Sequence, residues 1–375
     1  MLPGPDDGAV SLADVLRDSL SAVDGGPTRL GLTGVDRAAV ILVDGLGAEN
    51  LRARAGHART LAAAMTGRGI ISTGVPTTTA AALTTLATGT SPGEHGIVGY
   101  SALEPETDTV VNQLRGWDEG LLPAGWQREP TLFEAAHAAG LEAIAIGSPR
   151  YRDSGFTRAV LAGARYVAAP SIDGRLEALG TALADRSWRG IAYAYIPELD
   201  MAAHERGWES DAWIAALERT DAAVARLAAT LGSGTGVLLT ADHGILDVPE
   251  HRRLVVPDAS PLWGGVRRLA GEHRLLHLHL DQEVDPATVA ARWQDAFGSQ
   301  AWIATRSEAI EAGWFGTVAD EVRPRIGDVL VAARKAVAFY TEEDFAGHAG
   351  RMVGQHGSWT DAETRVPLLR FGAFS

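Results

Sequence analysis

The 375-residue chain contains no cysteine. Disulfides and thiolate metal sites are excluded, so any metal must be held by oxygen and nitrogen ligands. Also missing is an uninterrupted apolar run near the ~18 residues that a membrane span requires. The first residues, MLPGPDDGAVSLADVL, lack a basic start followed by an apolar core. No signal peptide is expected, and a cytoplasmic location follows by default. Positive charge is in short supply: 33 Lys+Arg against 47 Asp+Glu give a formal charge of −14. Such a surface repels long polyanions, which makes nucleic acid polymers and anionic membranes poor partners. A small phosphorylated substrate is not excluded, because bound divalent cations reverse the sign locally. The oligomeric state is not legible.

What is present is an ordinary globular composition, 46% hydrophobic and 21% charged, which argues against disorder. Ser11 and Asp14 stand at capping-box spacing before an amphipathic helix over 11–23, which Gly25, Gly26 and Pro27 end. AAVILVD (38–44) is a continuous apolar run, as in a strand buried on both faces of a parallel sheet. A helix over 48–66, a strand over 69–73 and a helix over 80–88 follow. Further on come helix 131–139, strand 142–146, helix 174–186, strand 190–196, helix 211–231 and strand 236–241. This alternation predicts an α/β fold, a three-layer α/β/α sandwich with a largely parallel central sheet. The texture changes after Pro249, where RLLHLHLD, DPATVAARWQDAF, AWIATR and VLVAARKAVAFY read as strand, helix, strand and strands. The expected organisation is a helical extension over 1–36, a core over 37–250 plus 327–375, and an inserted cap or sheet extension over 251–326.

Seven residues of metal-binding type fall at predicted strand ends or helix starts: Asp44, Thr79, Asp200, His204, Asp242, His243 and His356. Three carboxylates, three imidazoles and a hydroxyl are the parts of a two-metal hydrolase site. Asp44 follows VILV, at the strand edge where open α/β sheets place their sites; on this segment alone an Asp-Gly turn residue is the better reading. Thr77, Thr78 and Thr79 precede a helix introduced by Pro76. The amide groups at such an N-terminus favour a phosphate. At least one of the three threonines is expected to cap the helix, and a metal or a base would activate another as a nucleophile; physics alone does not choose among them. Asp200 and His204 are four apart and share one face of a helix, although a solvated Asp and a surface His would have the same spacing. Asp242 and His243 follow VLLTA, where burial without a partner would be costly and a metal accounts for both. His356 lies between glycines that let the backbone turn toward an ion. Of the other histidines, His277 and His279 on one strand face read as structural. His57 and His137 fall in helical patterns, and His251, His273 and His348 in polar loops.

The stretch VPTTTAAALTTLATGTSPGEHGIVGY resembles the nucleophile segment of the nucleotide pyrophosphatase/phosphodiesterase branch of the alkaline phosphatase superfamily. In that segment the attacking threonine follows a proline by three residues and precedes a Thr-Gly pair by nine. ELDMAAH, TADHG and GQHGS match that branch's Asp-x-x-x-His, Asp-His-Gly and last histidine elements. The resemblance covers about 37–250 and 347–360. It implies Thr79 as nucleophile, with Thr88-Gly89 and Glu94-His95-Gly96 falling into place. It further implies two divalent ions, zinc by preference. Asp44, Thr79, Asp242 and His243 would hold one, and Asp200, His204 and His356 the other. Thr79, an alkoxide on the first ion, would attack phosphorus in line, and the second would activate water to release the phosphoryl group.

Two positions depart from that pattern. Tyr100 stands where the branch has a phosphoryl-binding asparagine, and its phenol can donate one hydrogen bond there. Ala80 stands where a phenylalanine stacks on a nucleobase, which weakens the expectation of a nucleotide; Trp117, Trp126 or Tyr151 would have to supply an aromatic wall. The function expected is hydrolysis of a phosphodiester or pyrophosphate of a small molecule through a phosphothreonine. The rival is a phosphomonoesterase or phosphonate hydrolase, which often recruits Arg or Lys near the nucleophile. The nearest in sequence is Arg68, across a strand, which slightly favours diesters unless Arg115, Arg150 or Arg152 folds back. A phosphomutase and a non-catalytic metal-binding protein are remoter alternatives.

Overall fold

A computed structural model describes residues 1–6, 8–67 and 69–375; Arg68 lies outside the described residues. The apolar run Arg37–Val43 is buried at every position and lies third in a six-stranded sheet. The strand order is Leu369–Gly372, Thr235–Thr240, Arg37–Val43, Gly190–Ile196, Glu142–Gly147 and Arg165–Ala168. Every neighbouring pair is parallel except the first. Helices Leu12–Asp24, Thr79–Thr88 and Leu132–Ala138 pack together as one layer, and Ile172–Ala184, Asp211–Ala228 and Arg59–Ala64 as another. This is the expected α/β/α sandwich.

Local chemistry explains the boundaries. The Ser11 amide donates to Asp14 Oδ2 at 2.9 Å, and the first helix stops at Gly25, whose φ of 85° suits glycine. The continuous helix expected over 48–66 is instead Ala48–Ala53, a single turn Ala55–His57 and Arg59–Ala64. Asp221 accepts the Leu61 amide at 2.8 Å, so the third piece starts afresh on a partner from another helix. The strand expected near 69–73 is Ile70–Ser72, and it pairs antiparallel with Arg365–Pro367 outside the central sheet.

The later segments form a sheet of their own, antiparallel, in the order Val266–Glu272, Leu275–Leu280, Val329–Ala333 and Ala301–Thr305. Helix Pro286–Phe297 packs on it, and Trp293, Phe339, Leu278 and Val331 share a separate core. Strand Val329–Ala333 belongs to this sheet, so the stretch that builds it continues past residue 326. VLVAARKAVAFY divides because the Lys335 carbonyl turns to accept Arg274 Nη1 at 2.9 Å. Arg274 is fully buried against the Glu363 carboxylate, which ties the second sheet to the core. No helix among the described residues is long and apolar enough to cross a membrane.

Candidate active site

The carboxyl ends of three adjacent parallel strands deliver most of the expected residues to one place. Asp44 directly follows Arg37–Val43, and Asp242 lies two residues after Thr235–Thr240. Asp200 and His204 sit on helix Glu198–Arg206, which begins after Gly190–Ile196. His356 comes from the loop after Gly354–Gln355, a short strand paired with Leu246–Asp247 just beyond His243. Sequence positions 44 to 356 thus meet at the edge where the crossover topology opens the sheet.

The three imidazoles share one arrangement. His204 Nδ1 lies 2.8 Å from the Gly354 carbonyl, His243 Nδ1 3.1 Å from that of Gly244, and His356 Nδ1 2.7 Å from that of Thr77. Each carbonyl accepts, so each Nδ1 carries the proton and each Nε2 offers a lone pair. His204 Nε2 and His356 Nε2 are 3.2 Å apart. The His243 and His356 rings stack with centroids 3.7 Å apart.

The carboxylates are equally one-sided. Asp44 Oδ2 accepts the Tyr195 hydroxyl. Asp242 Oδ1 accepts the amides of Gly45 at 3.2 Å and His243 at 3.1 Å, and Asp200 Oδ2 lies 3.2 Å from His204 Nε2. The other oxygen of each, Asp44 Oδ1, Asp242 Oδ2 and Asp200 Oδ1, is buried without a hydrogen-bond donor among the described residues. Burial, then the charges of Asp242 and Asp200, push the Asp44 carboxyl well above the usual carboxylate range. Burial also raises Asp242, with His243 opposing and Asp200 assisting. For Asp200, burial is outweighed by His204, His356 and His243, and its carboxyl is lowered. An uncompensated anionic cluster of this kind is costly, and divalent cations offset that cost.

Donor atoms of Asp200, His204 and His356 all lie within 4.8 Å of one another, as do those of Asp44, Asp200 and His243. Asp200 therefore reaches both groups, whereas the sequence pattern gave it to one. The oxygen and imidazole donors fit two neighbouring divalent ions.

The three threonines separate clearly. Thr77 donates to the Ser358 carbonyl at 3.0 Å and accepts the Gly357 amide at 2.9 Å. Thr78 is buried just before the helix. Thr79 opens the helix and lies with Oγ1 3.4 Å from His243 Nε2. It faces a cleft of about 740 Å³ whose walls include Asp44, Asp200, Arg115, Arg150, Tyr151 and Phe156.

Tyr100 is not brought to this cleft. It is 41% exposed, immediately before strand Ser101–Glu104, and is not among the lining residues. Of the candidate aromatic walls, Tyr151 lines the cleft beside Tyr195, at a centroid distance of 5.9 Å. Trp117 packs on Phe156, and Trp126 is buried with Arg325 over its ring. Arg115 and Arg150 do fold back, which removes the argument for diesters drawn from Arg68. His348, read as a loop residue, also lines the cleft.

Sequence reasoning missed Tyr195 and Glu272. The alternation in IAYAYI puts Tyr193 and Tyr195 on one face and could have found the first. Nothing local marks Glu272, whose Oε2 reaches within 3.9 Å of His356 Nδ1 from the edge of the second sheet.

The sequence profile described as type I phosphodiesterase / nucleotide pyrophosphatase matches residues 38–359. No curated protein sequence matches the chain. Solved structures share its fold. Phosphonoacetate hydrolase from Sinorhizobium meliloti 1021, in complex with phosphonoacetate, is 18% identical with a TM-score of 0.71, over 90% of this chain and 91% of that one. Murine ectonucleotide pyrophosphatase/phosphodiesterase 5, an inactive threonine-to-alanine variant in complex with AMP, is 14% identical with a TM-score of 0.67, over 90% and 88%. Its human counterpart is 15% identical with a TM-score of 0.68, over 89% and 87%.

Proposed function

We propose that this chain, which belongs to the type I phosphodiesterase / nucleotide pyrophosphatase family, hydrolyses a phosphodiester or pyrophosphate bond of a small molecule with Thr79 as nucleophile. The observation that carries the reading is the position of Thr79. Its hydroxyl is the one of three neighbouring threonine hydroxyls that stands beside the buried Asp and His cluster at the cleft. The inactive threonine-to-alanine form of the murine relative supports giving a threonine that role.

Asp44, Thr79, Asp242 and His243 would hold one divalent ion and His204 and His356 the other, with Asp200 in reach of both. Zinc suits this donor set. Bound there, the ions would lower the pKa of the attacking groups and neutralise charge on the phosphoryl oxygens. The chain's own contribution is orientation. The amide of Thr79, which lines the cleft, precedes the first intrahelical bond, Ala82 N–H to Thr78 O at 2.9 Å, and can donate to a phosphoryl oxygen. Thr79 Oγ forms a bond to phosphorus as the bond to the leaving oxygen breaks. The proton that Thr79 gives up on attack goes to solvent or to the leaving oxygen; water then displaces Thr79 Oγ, its oxygen bonding to phosphorus while one of its protons restores the Thr79 hydroxyl. Arg115 and Arg150 stand on the cleft wall, where a second anionic group of the substrate would lie.

Those two arginines also favour a second reading, a phosphomonoesterase or phosphonate hydrolase, and the fold shared with phosphonoacetate hydrolase is compatible with it. Comparing kcat/KM for bis-p-nitrophenyl phosphate and p-nitrophenyl phosphate on zinc-loaded protein separates the two. A ratio well above one is expected; a ratio well below one gives the site to monoesters.

A further inference from the structure

The opposite edge of the central sheet carries a second concentration of phosphate-binding chemistry that the reaction does not use. Arg37 opens the strand that ends before Asp44, and its register partners are Gly190 and Thr235, the first residues of the two flanking strands. Its side chain is 7% exposed. A buried guanidinium ordinarily has a carboxylate against it, and among the described residues none forms an ion pair with Arg37. One terminal nitrogen donates weakly to the Trp188 carbonyl at 3.4 Å, and Nε is buried without an acceptor among the described residues.

The Arg37 side chain lines a cavity of about 570 Å³, together with Arg186, Arg189, Ser187, Ser233 and Asp36. Arg189 donates to the Val23 carbonyl. Neither it nor Arg186 has a carboxylate partner among the described residues. The wall opposite is the turn Gly232–Gly234, where a Cβ on Gly234 would stand 3.7 Å from an Arg37 terminal nitrogen and 2.8 Å from Asp36 Oδ2. Three arginines and one carboxylate residue thus line the cavity, on a protein whose formal charge is −14. Asp185, the next acid, accepts the Ser187 amide at 2.8 Å; the Ser187 hydrogen bonds and, to a smaller extent, the Arg37 charge lower its carboxyl.

We propose that this cavity binds the phosphate group of a small molecule, at a site separate from the catalytic cleft. Guanidinium forks match the oxygens of a phosphate, and an anion in the cavity would offset the buried charge of Arg37, which has no carboxylate ion-pair partner among the described residues. A seven-residue parallel strand at about 3.3 Å per residue separates this site from Asp44 by roughly 20 Å. One ligand therefore cannot occupy both, and the reading does not depend on which ester the cleft cleaves.

Titration calorimetry of the zinc-loaded protein tests it, with inorganic phosphate and, separately, glycerol 3-phosphate as probes. Two phosphates per chain are expected for the wild type. The double variant Arg186→Gln/Arg189→Gln changes two exposed residues, and an unaltered urea-unfolding midpoint would show that losing the Arg189 bond to the Val23 carbonyl leaves the fold intact. The variant should keep one phosphate and weaken the other at least tenfold, while phosphate inhibition of ester hydrolysis stays as it was. Arg37→Gln should do the same if it folds. Tighter binding of glycerol 3-phosphate at the second site would identify an organic phosphate, and equal affinity free phosphate. One phosphate per chain in the wild type, or a double variant that still binds two with wild-type affinity, would overturn the site.

Discussion

The Nε2 atoms of His204 and His356 lie 3.2 Å apart, and each ring presents its Nδ1 to a backbone carbonyl. With both protons on Nδ1, two lone pairs face each other, a contact that only a shared cation or a proton relieves. The same direction holds for His243 and for the bare oxygens of Asp44, Asp200 and Asp242. The backbone thus fixes the orientation of the donors, which is how a chain pre-organises a metal site.

Asp200 is the hinge of that arrangement, because its donors are within reach of both groups. Asp200→Asn should bring metal content from two ions to below one per chain by elemental analysis. His356→Ala should leave about one. Equal losses in the two variants would contradict the shared position of Asp200.

Tyr195 donates to Asp44 Oδ2 and would act through it on an ion held there. Removing such a supporting bond typically costs about tenfold or more in metal affinity. Tyr195→Phe should therefore lose zinc to a competing chelator about tenfold more readily, with the fold intact. Unaltered competition would show that the bond does not orient Asp44.

Tyr100 stands outside the cleft and is exposed. Tyr100→Phe should change kcat/KM by less than about twofold, since no transition-state contact is lost. A drop of tenfold or more would bring Tyr100 back to the phosphoryl group.

Three histidines away from the site make stability depend on pH. Burial above all holds His95, His277 and His279 down to a pKa of about 3. In the unfolded chain each takes a proton near pH 6.5, while the folded form does not. Their contribution is complete above pH 6.5 and is lost as pH falls toward 3, by roughly 1.4 kcal/mol per pH unit for each group. Urea unfolding should show a steep loss between pH 7 and 5, and His277→Gln should make it shallower. An unchanged slope in that variant would contradict the assignment.

The parts of this molecule that were legible in the sequence are those whose physics is local. AAVILV is a buried strand because every position is apolar, and Asp44 is at its end because the run stops there. Asp200 and His204 share a helix face by spacing alone. What was not legible depends on distant chain. Ile70–Ser72 leaves the central sheet because its partner is Arg365–Pro367, and the 48–66 helix breaks where Asp221 captures an amide. Arg115 and Arg150 reach the cleft by folding back, and Glu272 arrives from a separate sheet.

The most direct measurement is turnover and metal content of Thr79→Ala on the same zinc-loaded preparation, with bis-p-nitrophenyl phosphate as substrate. Loss of the nucleophile alone should cut kcat about a thousandfold or more, while close to two zinc ions per chain remain bound by the Asp and His donors. Full activity with both ions in place would move the attack to another group and contradict the role given to Thr79.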